Sequence, residues 1–171
     1  AVNYTNLIKM DERVGRLISK LKKEDLYDDS YIFFYSDHGG PFPRHKRAIY
    51  ETGTKVPFLV KFPVGKNEKV NKKQLLSFVD LAPTVLSIAG VKSPSEYQGF
   101  AFLGKNKSKI EREFLYTSSD RFDNVPDRIR AVRDLKFKYI RNYNPENSHA
   151  LNVLYRKQML LMRHLTSLHL T

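Results

Sequence analysis

The first third of the chain shows two hydrophobic patterns of different period. Between residues 4 and 23, apolar residues recur every three or four positions among charged ones: Leu7, Met10, Val14, Leu17, Ile18 and Leu21. This spacing predicts an amphipathic helix that packs by one face. Residues 31–35 (YIFFY) form a continuous apolar run of strand length. Because strands that are covered on both faces have such runs, this one predicts a central strand of a parallel sheet.

The next segments have the order of elements that is typical of an α/β protein. A loop rich in proline and basic residues leads to residues 56–60 (VPFLV), which predict a second buried strand. After a lysine-rich connector, residues 80–90 predict a helix, with Asp80 as a candidate cap and Gly90 at its end. Strand, loop, strand and helix in this order predict a layered α/β sheet.

The last third of the chain has shorter apolar segments. From residue 114 onward they are β-prone, and residues 129–133 and 136–140 flank the pair Asp134-Leu135. Two such segments around a short turn predict a hairpin. Residues 151–168 predict a final helix.

A stretch rich in glycine, proline, serine and lysine at residues 91–113 separates the α/β pattern of the first part from the short β-prone segments of the last part. We expect residues 1–100 to form the α/β sheet portion of a domain. Residues 101–171 are then a smaller, antiparallel α+β lobe with a terminal helix.

The charge balance narrows the classes of partner. Thirty Lys and Arg residues against eighteen Asp and Glu give a formal net charge of +12, which favours anionic partners. The absence of cysteine excludes disulfides, thiolate metal sites and cysteine nucleophiles. No apolar run approaches the roughly 18 residues of a membrane-spanning helix, and the first residues lack a targeting pattern, so we expect no membrane partner.

Basic and aromatic residues alternate in the predicted hairpin, a pattern that nucleic-acid stacking surfaces also show. Strand alternation places Phe137 and Tyr139 on the face opposite Lys136 and Lys138. It therefore predicts that both rings point into the core, and we expect no nucleic-acid partner.

Polar side chains follow the most hydrophobic predicted strand. Ligands of open α/β sheets bind beyond the carboxyl ends of the strands, where Asp37 and His38 lie. The Asp37 carboxylate suits a hard divalent cation such as calcium, whereas His38 can ligate, hydrogen-bond a substrate or transfer a proton. Lys46 follows in a loop that can fold back over the same strand end. A turn in which Asp37 caps the backbone and His38 is satisfied locally is the open alternative.

The wider context of these residues resembles the sulfatases of the alkaline-phosphatase superfamily. The residues that carry the likeness are MDERVG at 10–15, SDHGG at 36–40, Lys46, YETG at 50–53, VPFLV at 56–60, VDLAPTVL at 79–86, YQG at 97–99, IRAVR at 129–133 and KYIRNY at 138–143. The segment GPFPR at 40–44 is most similar to the heparan N-sulfatase-like branch.

The resemblance implies an alkaline-phosphatase-like fold and a site with named members. By position, Asp37 and His38 are metal ligands, for calcium in most of the family, and Lys46 contacts the sulfate. His38 and Lys46 are thus the candidate catalytic residues. Arg44 and His45 flank Lys46 and are candidate substrate contacts, with loop residues that have no fixed partner as the alternative. The implied partner is a sulfated small molecule or sulfated glycan, and the family habit implies a periplasmic, secreted or lysosomal location.

Two family elements are missing from the sequence. The nucleophile of the resembled family is a formylglycine made in a Cys/Ser-x-Pro-x-Arg motif, which these 171 residues lack, and the early Asp-Asp metal pair has no counterpart. Asp28 and Asp29 do not replace the pair, because a strand of about 3.3 Å per residue puts them roughly 26 Å from Asp37. We expect a C-terminal part of a sulfatase catalytic domain that is inactive without its N-terminal part.

Two other functions fit some of the same features. A phosphatase or phosphodiesterase of the same superfamily shares metal-binding Asp and His elements at strand ends but uses Thr or Ser as nucleophile. A non-catalytic polyanion-binding domain would account for the positive charge without any use of Asp37.

Overall fold

The computed structural model describes residues 2–66, 73–147 and 153–170. The chain divides into two compact units, Ala1–Tyr35 with Pro57–Lys69 and Ser36–Val56 with Val70–Thr171. The expected boundary at residue 100, between the sheet portion and the smaller lobe, stays a prediction. No helix of the described part is long and apolar enough to cross a membrane.

The first unit contains helix α1 (Val2–Lys23) and strands β1 (Ile32–Tyr35) and β2 (Phe58–Lys61). The helix and both strands were predicted, but the two strands do not pair in the predicted direction. β1 and β2 run antiparallel, with Tyr35 opposite Phe58, and β1 is only partly buried. The prediction of a parallel central strand is therefore wrong for the described strands, because an apolar run indicates burial but not the direction of the neighbour.

Aromatic rings and one lysine hold the first unit together. The Tyr35 and Phe58 rings stack with centroids 5.7 Å apart, and Tyr31 meets Phe62 edge-on at 5.8 Å. The Lys61 ammonium donates hydrogen bonds to backbone carbonyls of Tyr27, Asp28 and Ser30, in the segment between α1 and β1. These contacts fasten the entry of β1 to the end of β2.

Among its described residues, the second unit contains three short helices and a three-stranded sheet. The helices are α2 (Glu51–Thr54), α3 (Leu81–Ile88) and α4 (Leu160–Leu170). The strands are β3 (Leu115–Phe122), β4 (Val125–Arg133) and β5 (Lys138–Asn142), in the order β3-β4-β5 and all antiparallel. The predicted final helix is divided into a 3₁₀ turn at Leu154–Gln158 and α4, whereas residues 151 and 152 lie outside the described residues.

Asp80 has a different role from the one predicted. It ends a 3₁₀ turn (Phe78–Asp80), and its carboxylate makes no capping hydrogen bond to α3. The carboxylate instead accepts the N–H groups of Ser77 and Phe100, each at 2.8 Å, and a bidentate ion pair from Arg112 at 2.7 and 3.2 Å. Hydrogen bonding to this carboxylate raises the pKa of Arg112. α3 ends at Ile88, two residues before the predicted end, and Gly90 follows it with a φ of +78°.

The predicted hairpin is confirmed by β4 and β5. Its turn is closed by Asp134, whose carboxylate accepts the N–H groups of Lys136 at 2.7 Å and Phe137 at 2.6 Å. These two hydrogen bonds stabilise the charged form and lower the pKa of Asp134.

The orientation of the hairpin side chains is the reverse of the prediction. Phe137 and Tyr139 are 66% and 65% exposed, whereas the Lys138 side chain is only 11% exposed. The reason is a tertiary contact: the Lys138 ammonium reaches the Glu51 carboxylate at 3.4 Å and the Thr54 hydroxyl at 3.0 Å. An ion pair thus turns the lysine inward, and strand alternation turns both rings outward.

Candidate functional site

The residues after β1 form a tight, internally bonded turn. The Ser36 hydroxyl donates to the His38 carbonyl at 2.5 Å. His38 Nδ1 lies 2.7 Å from the Gly39 carbonyl oxygen. Because a carbonyl only accepts, Nδ1 carries the proton of this hydrogen bond, and the neutral ring keeps its lone pair at Nε2. The turn therefore selects the tautomer whose outer nitrogen can bind a cation or accept a proton.

That nitrogen lies beside the Asp37 carboxylate. His38 Nε2 is 3.4 Å from Asp37 Oδ2, and the aspartate is exposed. Two ligands at right angles around calcium, with bonds of about 2.3–2.6 Å, are about 3.3–3.7 Å apart, so the pair matches two neighbouring ligand positions. Calcium takes six to eight ligands, and the described part of the chain has no cluster of three or more His, Cys, Asp or Glu side chains for a metal. Asp37 and His38 fit a cation as part of a larger ligand set.

The loop that carries Lys46 folds back on this turn. The Lys46 N–H donates to the Gly40 carbonyl at 3.0 Å, and the Gly39 N–H donates to the Gly53 carbonyl at 3.1 Å. Lys46 itself is half-buried. The backbone thus returns to the strand-end turn as the sequence suggested, and the role of the Lys46 side chain stays a prediction.

Arg44 and His45 both have local partners. The Arg44 guanidinium lies over the Tyr50 ring at 4.5 Å, and its carbonyl accepts the Thr52 hydroxyl. His45 Nδ1 is 2.9 Å from the Pro43 carbonyl. The alternative of loop residues with no fixed partner is therefore wrong, while substrate contact by either residue stays a prediction.

Contacts between residues far apart in the sequence anchor the Lys46 loop to the three-stranded sheet. Glu51 accepts ion pairs from Arg133 and Lys138, both at 3.4 Å. Arg47 pairs with Asp123 and lies over the Phe122 ring at 4.6 Å. The sequence analysis did not identify these pairs, because residues more than 70 positions apart leave no local signal.

The loop also requires close backbone approach at Gly39. A Cβ at this position would lie 1.8 Å from the Thr52 carbonyl oxygen. We expect Gly39→Ala to lower the free energy of unfolding by about 1–3 kcal/mol, because the loop must move away. Urea denaturation measures the change, and faster hydrogen exchange of the Lys46 amide would locate it.

Gly40→Ala is the matched control, since its Cβ would meet only the flexible Phe42 side chain, at 3.4 Å. We expect a change below about 1 kcal/mol. Equal losses for both variants would show that the close approach at Gly39 is not what holds the loop.

Comparison with known proteins agrees with the resemblance of these residues to sulfatases. A family model described as Sulfatase matches residues 2–91. The chain is 48% identical over 166 residues to an ulvan-active sulfatase of Formosa agariphila, covering 96% of this chain and 28% of that protein. It is 33% identical over 96 residues to human N-sulphoglucosamine sulphohydrolase, covering 56% of this chain and 19% of that protein.

A solved structure shows the same fold. A protein in complex with its substrate D-glucosamine-2-N,6-O-disulfate superposes with a TM-score of 0.63 at 24% identity, covering 95% of this chain and 38% of that one. The expected fold class, an alkaline-phosphatase-like α/β sheet portion followed by a smaller α+β lobe, is confirmed. The chain spans less than a third of the length of the curated relatives described above. With a family model that matches more than half of its residues, the chain belongs to the sulfatase family.

Proposed function

We propose that the protein hydrolyses sulfate esters or N-sulfates of a sulfated carbohydrate, and that this chain supplies part of its metal and sulfate site. The relatives' names include an ulvan-active sulfatase and N-sulphoglucosamine sulphohydrolase, which supports a carbohydrate substrate. The observation that carries the proposal is the 3.4 Å approach of His38 Nε2 to Asp37 Oδ2, next to the Lys46 loop.

The chemistry of sulfate transfer fits the residues of this turn. A sulfate monoester is an anion whose leaving oxygen gains further negative charge as the bond breaks. The Lys46 ammonium offsets that charge, and Asp37 and His38 hold a divalent cation. When bound, such a cation would hold the sulfate group and supply positive charge that favours cleavage of its bond to the sugar substituent. Arg44 extends the positive surface toward the rest of the substrate, and His45 is a second candidate contact to it.

The nucleophile lies outside these 171 residues. The chain has no cysteine and no Ser-x-Pro-x-Arg motif from which formylglycine could form. We therefore propose that formylglycine and the remaining metal ligands come from another segment of the catalytic domain. Turnover of an aryl sulfate by this chain alone would contradict that division of the site.

A calcium titration of this chain tests the metal pair. We expect calcium to shift the His38 ring resonances in NMR spectra, and Asp37→Asn to weaken that response at least tenfold, because the substitution removes the anionic ligand. Calcium should also raise the melting temperature of the unaltered chain more than that of the variant.

Asp29→Asn is the matched control, since it removes one exposed carboxylate that precedes β1. An equal calcium response in Asp37→Asn and the unaltered chain would refute the metal role. In that case, binding to anions that falls steeply with salt would favour a polyanion-binding domain.

A further inference from the structure

The outward face of the three-stranded sheet has an unusual composition for a solvated sheet surface. In register, Tyr116 of β3 and Tyr139 of β5 flank Val132 of β4. In the next row, Arg130 lies opposite Arg141. We call this surface the aromatic–arginine face, formed by Tyr116, Arg128, Arg130, Tyr139, Arg141 and Tyr143.

The rings of this face are open to solvent. Tyr116 is 80% exposed and Tyr139 is 65% exposed. Since adjacent strands are about 4.8 Å apart, the two backbones are about 10 Å apart on either side of β4. One extended oligosaccharide can therefore lie across both rings. Large exposed aromatic residues grouped on one surface are typical of a binding surface rather than of ordinary solvated strand positions.

The charges of the face are almost all positive. The Arg128 and Arg141 guanidinium groups lie over the Tyr143 ring, at 5.0 and 4.6 Å from its centroid. Arg130 is paired with Asp120 at 2.6 Å. Among the described residues of the three strands, Asp120 is the one carboxylate on this side of the sheet. Tyr and Arg are also enriched in protein–protein interfaces, so the assignment of a polyanion rests on the excess of positive charge on this face.

We propose that the aromatic–arginine face binds the polymer chain of a sulfated polysaccharide, apart from the strand-end turn of Asp37 and His38. The inference rests on the proposed action on sulfated carbohydrates. Sugar rings stack their C–H faces on Tyr116 and Tyr139. The planar guanidinium group of Arg141 then donates paired hydrogen bonds to a sulfate group. Arg130 is held by Asp120 and adds positive charge beside it. The face would hold a long substrate on the enzyme between successive cleavages.

Affinity electrophoresis of this chain through gels with dextran sulfate, unsulfated dextran or linear polyacrylate tests the proposal. We expect binding to dextran sulfate and at least fivefold weaker binding to dextran. Tyr116→Ala/Tyr139→Ala should weaken binding to dextran sulfate at least fivefold and leave binding to polyacrylate unchanged, because polyacrylate has no sugar rings. Arg130→Gln/Arg141→Gln should weaken binding to both polyanions at least fivefold and make the salt dependence shallower.

Matched controls separate this face from general charge and from exposed rings elsewhere. Lys92→Gln/Lys105→Gln removes two exposed positive charges elsewhere in the same unit, and Tyr97→Ala removes a half-exposed ring. Both should change the affinity less than twofold. A failure of the proposed hydrolysis would appear as absent turnover by the full-length protein, whereas this binding is measured without any turnover.

Specific outcomes would overturn the proposal. One is equal affinity of the tyrosine variant and Tyr97→Ala for dextran sulfate, with unchanged melting temperatures. Another is equal affinity of the arginine variant and Lys92→Gln/Lys105→Gln for dextran sulfate. A third is self-association that the tyrosine substitutions abolish without any change in dextran sulfate binding, since the face would then join two copies of the chain.

Discussion

Asp80→Asn is expected to lower the free energy of unfolding by about 3–5 kcal/mol. Asp80 is 1% exposed, and its two oxygens accept two backbone N–H groups and both donors of the Arg112 fork. An amide in its place presents an NH₂ group to these donors and leaves the guanidinium without its anion. The turn before α3 and the segment around Phe100 then lose their common partner. Urea denaturation followed by circular dichroism measures the loss.

The control for this prediction is Glu96→Gln, which neutralises an exposed carboxylate in the same unit. Its effect should stay within about 0.5 kcal/mol. The double variant Asp80→Leu/Arg112→Met should be more stable than the sum of the single losses predicts, because no uncompensated charge is left. Strictly additive losses would mean that the ion pair is not what makes Asp80 important.

Lys46→Ala, in a full-length protein that contains this chain, is expected to lower kcat for a sulfated substrate about 10²–10³-fold. Removal of one preorganised group that stabilises developing negative charge costs about this much. Lys46 is half-buried, and its N–H bond to the Gly40 carbonyl fixes its backbone beside the strand-end turn. Steady-state kinetics measures the effect, and it should fall on kcat more than on KM, since the charge grows in the transition state.

Lys55→Ala is the matched control, as an exposed lysine of the same loop region. It should change kcat less than threefold. Lys46→Arg keeps the charge and should retain more activity than Lys46→Ala. A loss in Lys46→Ala as small as that in Lys55→Ala would exclude a direct role of Lys46 in sulfate transfer.

The Asp80 and hairpin results show where local patterns stop being informative. The hairpin of β4 and β5 was predicted, because β-prone segments around a short turn leave a local signal. Which hairpin face is covered was predicted incorrectly. That depends on Glu51, which lies 87 positions before Lys138 and draws its ammonium inward.

The candidate site shows the same difference between what a local motif predicts and what only the structure specifies. Asp37, His38 and Lys46 were predicted from a short motif at a strand end and its resemblance to sulfatases, since these residues lie close together along the chain, and their roles stay predictions. The tautomer of His38 and the 3.4 Å approach of its Nε2 to Asp37 follow from turn geometry, which the motif does not specify.

By itself, the sequence determined the α/β class, the places of α1, β1, β2 and the hairpin, and the family to which the chain belongs. Periodicity and short motifs are local properties of the sequence, so they can be recognised without knowing which residues pack against them. Only the tertiary structure decided the antiparallel pairing of β1 with β2, the Arg112 partner of Asp80 and the outward orientation of Tyr139. Each of these depends on contacts between residues far apart in the chain. Local periodicity contains no information about the free energy of such contacts.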